Sequence, residues 1–177
     1  MAKNIFVVSD TWFNRPVGDK SNMDVFEFNN ELIQIWNKTI RKSDTVYVLG
    51  GFGISELFHI VAQLNGNIHF LNNYYINDEK EFFETLKYCV NNTMDNKLKK
   101  RITFEDNQII TLNDEDAILS YFPLNDWYGK DSGTLCFHGF SVLSNLKDGN
   151  ISCTAKIINI TEVRDKLDAF KETLEIE

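Results

Sequence analysis

A chain of 177 residues with 43% hydrophobic and 25% charged side chains has the size and balance of one folded domain, which argues against disorder. Its formal net charge of −8 repels phosphate backbones, so nucleic acid is not an expected partner. The three cysteines, Cys89, Cys136 and Cys153, are odd in number and form no C-x-x-C pair, so each is expected as a small buried apolar residue rather than as part of a disulfide framework.

Ile5-Phe6-Val7-Val8 reads as a buried strand that delivers Asp10 to a loop. Apolar residues at 28, 32, 33, 35 and 36 predict a helix over 26–39. Thr45-Val46-Tyr47-Val48-Leu49 is a second buried strand, ending at Gly50-Gly51. Leu57, Ile60, Val61 and Leu64 predict a helix over 54–64, and Asn65-Gly66-Asn67 marks a turn. Ile68-His69-Phe70-Leu71 is a third strand, and a helix over 78–91 could be capped by Asp78. Lys97-Leu98-Lys99-Lys100-Arg101 is read as a solvated face beside a turn. Strands follow at 101–104, 108–112, 117–120 and 134–137, one more is expected over 151–160, and a short helix runs from Thr161 to about Leu174. Strands alternating with helices, then mostly strands, predict an α/β sandwich of packed sheets with helices outside, in a single domain over 1–177. Its sites belong at the carboxyl ends of the strands. No apolar stretch approaches the ~20 residues that span a bilayer. Met1-Ala2-Lys3-Asn4 leads directly into a strand, so no leader peptide and a cytoplasmic location are expected.

Five segments fall at those loop ends: Ser9-Asp10-Thr11-Trp12, Gly50-Gly51-Phe52-Gly53, Asn72-Asn73-Tyr74-Tyr75, Ser120-Tyr121-Phe122-Pro123 and His138-Gly139-Phe140-Ser141-Val142. Their order, spacing and flanks resemble the calcineurin-like metallophosphoesterase family, whose segments read D-x-H, G-D, G-N-H-D, S-H-x-P and H-G-H-x-H. The flanks Leu64-Asn65-Gly66-Asn67 and Leu119-Ser120-Tyr121-Phe122-Pro123-Leu124 are similar to small bacterial and phage members, and the resemblance covers nearly the whole chain. It implies a four-layer α/β/β/α sandwich with mixed sheets.

Carried over residue by residue, the resemblance implies a depleted metal site. Asp10 and Asn73 keep the family's ligand types. Trp12, Tyr121, Phe140 and Val142 stand where the family has histidine ligands, and Gly51 stands for its bridging aspartate. Tyr74 replaces the catalytic histidine and Tyr75 the aspartate after it, while His138 matches a leading histidine that is not normally a ligand. Two-metal hydrolysis needs two cations that clamp the attacking and leaving oxygens. One carboxylate and one amide do not hold such a pair. The expectation is a non-catalytic pseudoenzyme with no metal and no cofactor, its former site filled by apolar and aromatic residues.

The aromatic supply around that site motivates protein binding, since Trp and Tyr are enriched at binding hot spots. Trp12, Tyr75, Trp127 and Tyr128 are the candidate contact residues, with Trp12 and the Trp127-Tyr128 pair expected to be exposed because they lie in polar stretches. The retromer subunit that keeps this fold as an interaction scaffold is an analogue. Frequent asparagine fits an AT-rich bacterial or phage genome, which suggests a phage accessory protein engaging a host protein. The alternatives are a nucleotide or other small ligand stacked in the aromatic cleft and residual metal-dependent phosphoester hydrolysis. Ser9, Ser120 or Ser141 with His138 and Asp10, and Cys136 with His138, are nucleophile arrangements without a supporting motif. His59 and His69 are read as structural.

Overall fold

A computed structural model of the protein describes residues 3–71, 77–107, 109–112, 114, 116–139, 150–153 and 156–166. Two mixed sheets carry the architecture. The first has the order β4-β3-β2-β1-β9, in which β1 (Ile5–Ser9), β2 (Thr45–Val48), β3 (Asn67–Leu71) and β4 (Ile102–Glu105) run parallel and β9 (Lys156–Asn159) is antiparallel to β1. The second has the order β5-β6-β7-β8. Here β5 (Ile109–Leu112) is antiparallel to β6 (Ala117–Ser120), and β6, β7 (Leu135–His138) and β8 (Asn150–Ser152) run parallel.

Strand β1 is buried along both faces from Phe6 to Ser9, while β2 and β3 leave Tyr47 and His69 half-buried. Alternation along each strand splits the core in two. Phe6, Val8, Val46, Val48, Ile68 and Phe70 face the helices α1 (Val25–Thr39), α2 (Leu57–Gln63) and α3 (Asn77–Asn92). Val7, Leu49 and Leu71 face the second sheet, where they meet Ala117, Leu119 and Phe137. Trp36 anchors α1 by donating from Nε1 to the Asn65 carbonyl at 2.9 Å. The outer face of the second sheet carries Ile118 and Cys136 beneath Trp127 and Leu124 of the segment 121–134. Among the described residues, Trp127 and Leu124 of this segment pack on that face. No helix among the described residues is long and apolar enough to cross a membrane.

Three expectations are corrected. Helix α2 begins at Leu57 and not at residue 54, because Ile54 N–H donates to the Phe13 carbonyl at 3.0 Å and Ser55 and Glu56 take left-handed φ. The strand expected over 151–160 is two strands in different sheets. Cys153 N–H donates to the His138 carbonyl and so continues the second sheet, while Lys156 opens β9 of the first. Residues 96–101 form helix α4 (Asn96–Arg101), whose first amides are accepted by the Asp95 carboxylate. Its Arg101 is no solvated charge: it donates to the Val61 and Gly66 carbonyls at 2.8 and 3.2 Å. The helix expected after Thr161 is described over 160–166; its expected continuation to Leu174 lies outside the described residues.

Candidate functional site

The loops that follow β1, β2, β6 and β7 meet at one end of the molecule. The first two zip together. Asp10, Trp12 and Phe13 amides donate to the carbonyls of Gly50, Gly51 and Phe52 at 3.0, 3.0 and 2.9 Å. This course requires left-handed φ at Asp10, Trp12 and Asn14, at 56°, 53° and 63°, a run of non-glycine residues in a sparsely populated region. Asn14 holds the turn, its Nδ2 donating to the carbonyls of Ile54 at 2.9 Å and Ser55 at 2.6 Å. Asn29 of α1 accepts from the Asn14 amide at 2.8 Å.

Asp10 is 8% exposed and held by two hydroxyls. Tyr121 donates to Oδ1 at 3.0 Å and Ser9 donates to Oδ2 at 2.9 Å. The Tyr121 ring lies so close to Gly50 and Gly139 that a Cβ on either would stand 2.6 or 2.7 Å from its Cδ2. Gly51, at φ 59°, presses on Asp10 from the other side: a Cβ there would stand 2.8 Å from Asp10 Cα. An aspartate at position 51 has no room while Asp10 keeps this place. The described residues therefore bring Asp10, Gly51, Tyr121 and the His138-Gly139 turn together, with the Tyr121 ring as filler.

His138 is 1% exposed. Its Nδ1 sits 2.9 Å from the Gly139 carbonyl, which fixes that nitrogen as the donor. Nε2 is buried and has no hydrogen-bond partner among the described residues. Burial pushes the His138 pKa below its usual value, against the opposing pull of the Gly139 carbonyl. Cys136, two residues back on the same strand, is buried and its thiol is pushed up to about 11 by that burial, partly offset by a backbone hydrogen bond involving Leu124. A protonated thiol beside a neutral ring is not an activated nucleophile. Ser9 donates to Asp10, and His138 Nδ1 is committed to Gly139, so these three side chains do not form a Ser-His-Asp relay. His69 is structural as expected: Nδ1 lies 2.7 Å from Thr103 Oγ1 and the ring stacks on Tyr47 at 4.9 Å. His59 is exposed, on the helix surface.

Trp12 is half-buried with the Arg15 guanidinium 5.3 Å over its ring. Tyr128 is 90% exposed. Trp127 corrects an expectation: it is 8% exposed, because its Nε1 donates to the Thr134 carbonyl at 2.8 Å and its ring packs over Ile118 and Cys136. Asn73, Tyr74, Tyr75, Phe140, Ser141 and Val142 lie outside the described residues. No group of three or more His, Cys, Asp or Glu side chains placed to hold a metal occurs among the described residues.

One feature of this end has no counterpart in the sequence reading. A cleft of about 420 Å³ opens between α1, the loop after β1 and strand β9, with Phe13, Phe28, Leu32, Trp36 and Ile157 among its walls and Asp10 and Thr11 at one side. Helix α1 also carries apolar side chains outside the face it buries, with Ile35 53% exposed at the rim of this cleft.

No family model matches the chain. No curated protein matches it. Among solved structures it is similar to the crystal structure of AQ665, a protein of unknown function from Aquifex aeolicus. The match has 19% identity and a TM-score of 0.56 over 94% of this chain and 100% of that one. At that identity the likeness concerns the fold alone.

Proposed function

We propose that this chain is a non-catalytic protein of the metallophosphoesterase type, a four-layer α/β/β/α sandwich in plan, that works by binding another protein. The observation that carries the reading is the Tyr121–Asp10 hydrogen bond. In the family that this sequence resembles, the position of Tyr121 supplies an imidazole to a metal. Here a phenol ring occupies the space and its hydroxyl is turned onto the one carboxyl group the first loop retains. Gly51 adds a steric argument, since the bridging carboxylate cannot be restored without displacing Asp10. The exposed ring of Tyr128 and the half-buried ring of Trp12 are the contact residues of this proposal. The reading places the protein in the cytoplasm, that of a bacterial host if a phage encodes it.

The test is an aryl phosphodiester assay with Mn²⁺, run beside Asp10→Ala. Equal background in both is the expected result. Turnover that Asp10→Ala abolishes overturns the proposal. The binding half is tested by Tyr128→Ala and Trp12→Ala in a complex with a purified partner, where weakened binding with intact folding is expected.

The cleft beside Asp10 favours a second reading, in which a small apolar ligand is held without being hydrolysed. Thermal shift with a panel of nucleotides and apolar acids distinguishes it, because a ligand selective for the native state raises the melting temperature.

A further inference from the structure

Strand β5 is the outermost strand of the second sheet. Ile109, Ile110, Thr111 and Leu112 pair with Ser120, Leu119, Ile118 and Ala117 on one side. No backbone hydrogen bond reaches the other side from any described residue. Ile109 is 49% exposed and Thr111 is exposed. Sheet edges are normally guarded by charge, proline or brevity. The other edges are guarded: β4 carries Glu105, β9 carries Lys156, and β8 has three residues. Strand β5 has no charged residue and no proline.

Its guards lie instead at its two ends, and all have one sign. Glu105 and Asp106 precede it, and Asp114 and Asp116 follow it. The basic groups nearby are few: Lys87 stands 3.8 Å from Asp106, and Arg164 donates to the Asp116 carbonyl at 3.1 Å. His69 lies 3.5 Å from Glu105. Antiparallel pairing of two copies would set the Asp106 end of one strand against the Asp114 end of the other, so like charges meet at both ends. An extended segment with basic ends meets opposite charge at both. The same flanks that oppose self-association thus select the partner.

We propose that the edge of β5, unpaired among the described residues, is a docking site for an extended segment of a partner protein, an uncharged β-forming stretch flanked by Lys or Arg. The segment adds as a fifth strand to the second sheet. This does not rest on the phosphoesterase reading, because it uses neither the Asp10 loop nor the Tyr121 ring.

The experiment is fluorescence anisotropy of the full chain with a labelled peptide Lys-Lys-Val-Thr-Val-Thr-Val-Lys-Lys. Controls are the same core flanked by Glu, and the Lys peptide with alternate amides N-methylated on its pairing edge. Saturable binding of the Lys peptide is expected, weakened by about tenfold or more in each control. The variant Asp106→Lys with Asp114→Lys changes two exposed side chains, keeps the fold by circular dichroism and reverses the preference toward the Glu peptide. Absence of saturable binding overturns the proposal. So does equal binding of the Lys and Glu peptides, or undiminished binding of the N-methylated one. Sedimentation of the free chain is expected to show a monomer. A dimer that Thr111→Pro dissociates would make a second copy the occupant and also overturn it.

Discussion

The phenolic hydroxyl of Tyr121 donates to Oδ1 of Asp10 at 3.0 Å, joining two loops that are 111 residues apart in the chain. Both side chains are buried, so the bond closes over a site that has little water to replace it. Removing one member of such a pair leaves the other to bear its desolvation.

Tyr121→Phe is therefore expected to lower the unfolding free energy by about 1–3 kcal/mol, with little change in the denaturant slope. The ring still fills the gap between Gly50 and Gly139, so no cavity term is added. Urea denaturation followed by tryptophan fluorescence measures the loss. A change near zero would show that the Asp10 carboxyl group is satisfied without the Tyr121 hydroxyl.

Gly51→Asp tests the proposal that position 51 cannot carry a metal-bridging carboxylate. Aspartate tolerates left-handed φ better than most residues, so the backbone at 59° is the smaller obstacle. The larger one is the Cβ set 2.8 Å from Asp10 Cα, which forces the first loop to move. The expected result is a loss of at least about 2 kcal/mol and no rise in melting temperature with Mn²⁺. A Mn²⁺-dependent stabilisation of this variant would mean that the loop adapts, and would count against the steric argument from Gly51.

The ring of His138 supplies a pH dependence with a definite sign. Its folded pKa lies below the usual 6.5 because burial disfavours the imidazolium. The unfolded chain titrates near roughly 6.5 and so binds the proton more readily than the folded one. Stability is complete above that value and is lost as pH falls through it. Denaturation at pH 5, 6 and 7.5 should show the loss, and His138→Gln should flatten that slope whatever it does to stability at neutral pH. Parallel slopes would assign the acid sensitivity to other groups.

The first three strands are readable in the sequence because each is a short, mostly apolar run that ends at a loop signal, and β1 is buried from Phe6 to Ser9. The division into β8, ending at Ser152, and β9, opening at Lys156, is not. Ile151 to Ile160 contains neither Gly nor Pro, and what separates β8 from β9 is the bond from Cys153 N–H to the His138 carbonyl, a tertiary choice. The site divides in the same way. Asp10 and the Gly50-Gly51 loop stand at strand ends, which local pattern reveals. The meeting of Asp10 with Tyr121 is a contact across 111 residues of chain that no local pattern around either residue announces.

Trp127 and Tyr128 are adjacent in a polar stretch and have opposite fates, which gives the sharpest single comparison. Trp127 turns onto Ile118 and Cys136 of the second sheet, with its indole donor satisfied by the Thr134 carbonyl and Lys130 Nζ 4.9 Å above the ring, while Tyr128 is almost wholly in solvent. Trp127→Ala should cost about 3 kcal/mol or more, the usual range for an emptied aromatic site, whereas Tyr128→Ala should stay within about 0.5 kcal/mol of the parent. The loss at Trp127 also uncovers Cys136. Its thiol, held at about 11 by burial, should fall toward the ordinary range and become alkylated by iodoacetamide at pH 8. Mass spectrometry of the labelled peptides reads this directly: Cys136 is expected to be protected in the parent and in Tyr128→Ala and modified in Trp127→Ala. If it stays protected in all three, the cover over Cys136 is supplied by residues other than Trp127.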